Sequence, residues 1–99
     1  MANYVVERYL PGITPDQLMA AAGRAKRTTA EMTQEGTSVR YLRSTFLPGE
    51  EKCFCLFEGP SADAVKTANE RALIPFERIV EAMHVASEDV SSFTRRERA

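Results

Sequence analysis

The sequence predicts an α+β domain of the ferredoxin-like βαββαβ topology, a four-stranded antiparallel sheet with two helices on one face, and a dimeric α/β barrel-like pair as its assembly. Three observations predict it. Strand-like and helix-like runs follow one another in that order, one of the recurring supersecondary motifs. Residues 39–60, VRYLRSTFLPGEEKCFCLFEGP, read as two strands around a Pro-Gly turn. Both strands of this hairpin carry apolar side chains on both faces, so a second layer must cover the side away from the helices, most simply another copy of the chain.

Each element has its own local reason. Residues 3–9, NYVVERY, are rich in β-branched and aromatic side chains and are stopped by Leu10-Pro11-Gly12, which gives a first strand. Thr14 then supplies a cap oxygen, Pro15 suits the first helical position, and Gln17 completes a capping-box spacing. Leu18, Ala22, Ala25, Thr29 and Met32 recur on one helical face, and Gly36 offers a left-handed stop. The runs 39–46 and 52–58 pair as the hairpin. Ser61 caps a second helix through Val65, Ala68 and Ala72, with Pro75 as its expected terminator. Residues 77–85, ERIVEAMHV, alternate as a fourth strand. The domain is thus expected over residues 1–85, and the polar tail 86–99 is expected to fray or to clasp a partner.

Size and charge narrow the function. A chain of 99 residues with 43% hydrophobic side chains supports one core, burying roughly 65% of the surface its unfolded form exposes. A net charge of −1 with interspersed signs leaves no electrostatic footprint for nucleic acid or an anionic membrane. No run approaches the ~18 apolar residues of a membrane span, and Glu7 and Arg8 interrupt the N-terminal apolar run, so a cytoplasmic protein is expected. Cys53 and Cys55 are the two cysteines. On a strand they point to one side, about 6.6–7 Å apart along the chain, beyond relaxed disulfide reach, so reduced and buried thiols are expected.

Alternation divides the sheet into two surfaces. If Leu47 and Lys52 flank a four-residue loop, Phe46, Ser44 and Leu42 face Cys53, Cys55 and Phe57 toward the helices. The other surface then takes Tyr41, Arg43, Thr45, Phe54, Leu56 and Glu58, with Val5, Glu7 and Tyr9 from the first strand and Ile79, Glu81 and Met83 from the fourth. An apolar middle with a few polar groups is how a ligand pocket is built. Tyr9, Phe54, Leu56 and Glu81 are its candidate lining. In an enzyme, Glu7 or Glu58 would be the general acid or base, with Tyr41 and Arg43 polarising an oxygen. The plainer reading pairs Glu7 with Arg43 as an ion pair. His84, the sole histidine, and Glu81 are the candidate metal donors, sufficient for a mixed N and O site only when a second copy contributes.

The strings VVERYLPGIT, VRYLRSTFLPGEEKCFCLFEGPSADAV and NERALIPFERIVEA resemble a family of small, mainly actinobacterial proteins, one branch of which is labelled nickel-binding protein. The resemblance spans residues 4–85. It implies a ferredoxin-like homodimer with nickel held near the dimer surface, and it assigns no ligand residue by residue. The expectation is therefore a non-catalytic cytoplasmic dimer that binds a divalent metal such as nickel, with no organic cofactor. Two alternatives stand beside it: a small isomerase, cyclase or monooxygenase-like enzyme holding a hydrophobic ligand in the sheet cavity, and a non-catalytic interaction module.

Overall fold

In the computed structural model, which describes residues 1–90, the elements run β1 (Ala2–Tyr9), α1 (Pro15–Gln34), β2 (Arg40–Leu47), β3 (Lys52–Gly59), α2 (Ala62–Arg71) and β4 (Arg78–Ala82). The expected ferredoxin-like order is present, and the strands lie β2-β3-β1-β4, all antiparallel. The central pair β3 and β1 carries the most buried sheet residues. Val6, Phe57 and Cys53 are almost fully enclosed, with Val65 and Ala68 of α2 and Ala25 and Met32 of α1 packed over them. Full burial of a side chain such as Val6 or Phe57 stabilises by about 1.5–3 kcal/mol.

The helix starts follow the sequence signals. Thr14 accepts from the Gln17 amide and Gln17 returns the bond to the Thr14 amide, closing the capping box. Ser61 accepts from Ala64 at the start of α2. Gly36, at φ 108°, takes the left-handed conformation that ends α1. Thr33 Oγ1 then donates to the Val39 carbonyl at 2.9 Å, tying the end of α1 to the entry of β2.

Three boundaries differ from the sequence reading. Helix α2 stops at Arg71, not at Pro75, because Leu73 takes a left-handed φ of 58° and the Arg24 guanidinium caps the Ala72 carbonyl at 2.9 Å. Strand β4 covers Arg78–Ala82, shorter than the expected 77–85. Beyond it, residues 87–90 begin a helical turn with Asp89 accepting from the Ala86 amide, where the sequence showed only a polar tail. The rest of that tail, 91–99, lies outside the described residues. No described helix is long and apolar enough to cross a membrane.

Register decides which side chains share a surface. Leu47 pairs with Lys52, Phe46 with Cys53 and Ser44 with Cys55, as the loop length implied. The pairing then slips at Leu42: a bulge puts Tyr41, not Leu42, opposite Phe57. On the helix side the rows are therefore Phe46-Cys53-Arg8, Ser44-Cys55-Val6-Ile79 and Tyr41-Phe57-Tyr4-Glu81. The open side has the rows Thr45-Phe54-Glu7-Arg78, Arg43-Leu56-Val5-Val80 and Arg40-Glu58-Asn3-Ala82.

Candidate functional site

Two places carry chemistry, one on each surface of the sheet. The first lies on the open side. Its middle row is apolar through Leu56, Val5 and Val80, and Phe54 is half-buried beside it. Ions flank the row: Glu7 pairs with Arg78 at 2.6 Å and Glu58 with Arg40 at 3.5 Å, both directly cross-strand. The expected pairing of Glu7 with Arg43 does not form, because Arg78 is the direct neighbour of Glu7 whereas β3 separates Arg43 from β1.

Arg43 instead meets His84. Its Nη2 donates to the imidazole Nδ1 at 2.9 Å. β4 and β2 are the two edges of the sheet, about 14 Å apart at the usual strand spacing, so the chain leaving Ala82 must cross the open surface to make this contact. Ala82, Met83 and His84 accordingly line a shallow cavity of about 200 Å³ with Val5, Arg43, Phe54 and Leu56. Leu56, which belongs to no helix-side cluster, is only 9% exposed. The chain's own segment after β4 thus supplies part of the cover that the sequence assigned wholly to a second subunit.

Of the sequence candidates, the open side brings together Glu7, Arg43, Glu58, Phe54, Leu56 and His84, with the exposed Tyr9 at the end of β1. It does not include two others. Tyr41 lies on the helix side, its ring centroid 5.4 Å from that of Phe57 and its hydroxyl 2.7 Å from Ser44 Oγ, because the bulge at Leu42 reverses the expected alternation. Glu81 stands opposite Tyr4 and Ile79 opposite Val6, so both belong to the helix side and Val80 takes the open position. The proposed catalytic quartet is split by the sheet, and the carboxylate meant to join His84 is turned away from it.

The second place is one that sequence reasoning missed. Arg8 is 2% exposed beneath the helices. Its Nε donates to Cys55 Sγ at 3.2 Å, its Nη1 to the Pro75 carbonyl at 3.3 Å and its Nη2 to Asn69 Oδ1 at 2.5 Å. Asn69 is itself anchored on the Val65 carbonyl of α2. Around Cys55, Ser44 Oγ lies at 3.0 Å and Cys53 Sγ at 3.7 Å. Both thiols are free and buried, as the strand spacing implied.

The electrostatics follow from that geometry. The hydrogen bond from Cys53, then the Arg8 charge and the Ser44 hydroxyl, overcome the cost of burial and pull the Cys55 thiol down to about 6. Cys53 moves the opposite way, chiefly because it is the donor to Cys55 and then because it is buried. Burial raises the Tyr41 phenol. The signal in the sequence was the alternation of β1, which puts Arg8 on the same side as Tyr4 and Val6.

A family model described as nickel responsive protein SCO4226-like matches residues 4–82. The chain belongs to that family. The crystal structure of SCO4226 from Streptomyces coelicolor A3(2) superimposes with a TM-score of 0.70 at 29% identity, covering 86% of this chain and 100% of that one. No curated protein matches the chain. For an SCO4226-like protein the question is whether these residues suit nickel. Within one copy they do not: among the described residues no three His, Cys, Asp or Glu side chains come together, His84 has a guanidinium on its ring nitrogen, and Glu81 is on the other surface.

Proposed function

We propose that the protein is a non-catalytic, cytoplasmic member of the nickel-responsive family that pairs through its open sheet surface with a second copy. A divalent metal such as nickel then binds where the two copies meet, with His84 as imidazole donor. The observation that carries this reading is the placement of His84, exposed and held by Arg43 above an apolar strip of Phe54, Leu56, Val5 and Val80. One copy offers one imidazole and an incomplete donor set; two copies facing each other offer two imidazoles, and Glu7 or Glu58 at the rim would join them by leaving Arg78 or Arg40. The family name supports nickel as the ion.

An enzyme is the weaker reading. Tyr41 lies across the sheet from Arg43, the Glu7 carboxylate is occupied by Arg78 at 2.6 Å, and the cavity of about 200 Å³ is smaller than ordinary substrate pockets. Calorimetric titration of tag-free protein with nickel tests the proposal. Saturable binding at half an equivalent or more per chain, lost in His84→Ala, is expected. No heat at micromolar metal, or heat unchanged by the substitution, overturns it.

A further inference from the structure

We propose that Cys55 and Cys53 form a peroxide-oxidisable thiol pair beneath α1, in which Cys55 is the attacking sulfur and Cys53 resolves the product. A guanidinium that is 2% exposed needs an anion, and among the described residues the three groups Arg8 touches are a carbonyl, an amide oxygen and the sulfur of Cys55. Only the sulfur can ionise. Ser44 Oγ and Cys53 Sγ lie 3.0 and 3.7 Å from it, and each can donate to an ionised sulfur. The other groups lining the space beside it are the Tyr41 phenol from β2, the apolar Leu18, Ala21, Ala22 and Ala25 from α1, and Leu10 and Ile74, so among the described residues no second charge borders it.

Space selects the oxidant. A void of about 10 Å³ lies between α1 and the sheet, bordered by Arg8, Tyr41, Ser44, Cys53 and Cys55. That is room for about one water molecule, and hydrogen peroxide is the oxidant closest to that size. Cys53 is fully enclosed and Cys55 is 5% exposed, which shuts out bulkier hydroperoxides. A cation is disfavoured at the same sulfurs, since Arg8 already sits on one of them.

The chemistry balances in two steps. The Cys55 thiolate attacks one peroxide oxygen and the O–O bond breaks. This gives Cys55 sulfenic acid and hydroxide, which takes a proton from solvent to become water. The Cys53 thiol then attacks the sulfenic sulfur, expelling the oxygen as a second water and forming the S–S bond. Two sulfurs lose one electron each and one peroxide is reduced to two waters. Arg8 and Ser44 are placed to hold the departing oxygen.

Closing the bond has a mechanical consequence. Residues two apart on a strand have Cα atoms about 6.6–6.8 Å apart, while disulfides prefer about 5.5–6 Å. Oxidation therefore pulls β3 inward at Phe54, whose side chain points to the open surface. The effect on pairing of copies rests on the dimer reading above; the thiol chemistry does not.

Full-length protein treated with equimolar hydrogen peroxide is expected to lose two hydrogens by intact mass, and roughly tenfold slower or not at all with tert-butyl hydroperoxide. Cys53→Ser should gain one oxygen by intact mass, the sulfenic acid of Cys55, reversible by dithiothreitol. Arg8→Met should slow the reaction at pH 7 by less than the roughly 30-fold fall in thiolate that separates a thiol at about 6 from an ordinary one, because Cys53 and Ser44 still hydrogen-bond the sulfur. Because Arg8→Met can unfold the core, thiolate absorbance of the unmodified protein gives an independent reading, with a midpoint near 6 expected. Two results overturn the proposal: neither the loss of two hydrogens in the unmodified protein nor the gain of one oxygen in Cys53→Ser, or both thiols titrating as ordinary cysteines. A loss of mass with pairing and nickel binding unaltered removes only the link to the open surface.

Discussion

Arg8 Nε lies 3.2 Å from Cys55 Sγ, so among the described residues the most deeply buried cation is met by a thiol and by no carboxylate. That pairing joins β1 to β3 under both helices, and its two members should be energetically inseparable. Cys55→Ala leaves the guanidinium without a counter-charge and is expected to cost about 3–5 kcal/mol. Arg8→Met forfeits three hydrogen bonds but lets Cys55 protonate, at about 2–4 kcal/mol. The double variant should cost clearly less than the sum, which urea unfolding of the four proteins measures directly.

The same pair sets a pH dependence. Cys55 is held down to about 6 from an ordinary 9.0, so its contribution is fully present above pH 9 and is lost as pH falls through 6. Cys53 is raised and stays protonated in the fold, so above pH 9 the unfolded chain gains by ionising it. Thermal melts should therefore show stability climbing from pH 6 to about 8.5 and turning down beyond 9. A flat profile over that range would show that the thiols are not coupled as the geometry requires.

Phe54 tests the open surface. It is half-buried between Glu7 and Thr45, on the side opposite the helices. Phe54→Asp should leave the helix-side core folded while abolishing self-association, because a charge in an apolar joint is costly. Sedimentation velocity of both proteins checks it; a variant that still sediments as a dimer contradicts pairing through this surface.

Among the described residues Leu73 is the one exposed apolar residue held in a left-handed conformation, with φ 58° and 80% of its surface exposed. The Cβ clash there outweighs the little that this side chain buries. Leu73→Gly is expected to raise stability by about 0.5–1 kcal/mol, after the extra freedom glycine gives the unfolded chain. Guanidinium unfolding with an unchanged slope would report the gain as a shift in midpoint.

Thr14 offers a simpler check of local reading. Its capping box with Gln17 is formed in both directions, so Thr14→Ala should cost about 1 kcal/mol without altering anything beyond the first turn of α1.

Sequence alone determined the βαββαβ order, the two N-caps, the left-handed stop at Gly36 and the shared side of Cys53 and Cys55, since each depends on neighbours within a few residues. Alternation also gave the correct open-side places of Glu7, Phe54 and Glu58. Only the tertiary structure decided the rest. The bulge at Leu42 moved Tyr41 to the helix side, and a one-residue difference in the phase of β4 moved Glu81 with it. Such shifts leave no mark in composition, because the strand period of two makes either phase read equally well. The Arg8-Cys55 contact joins residues 47 apart in the chain. Their meeting depends on β1 entering the sheet beside β3, a pairing set by how the two crossovers pack and not by any residue near either one.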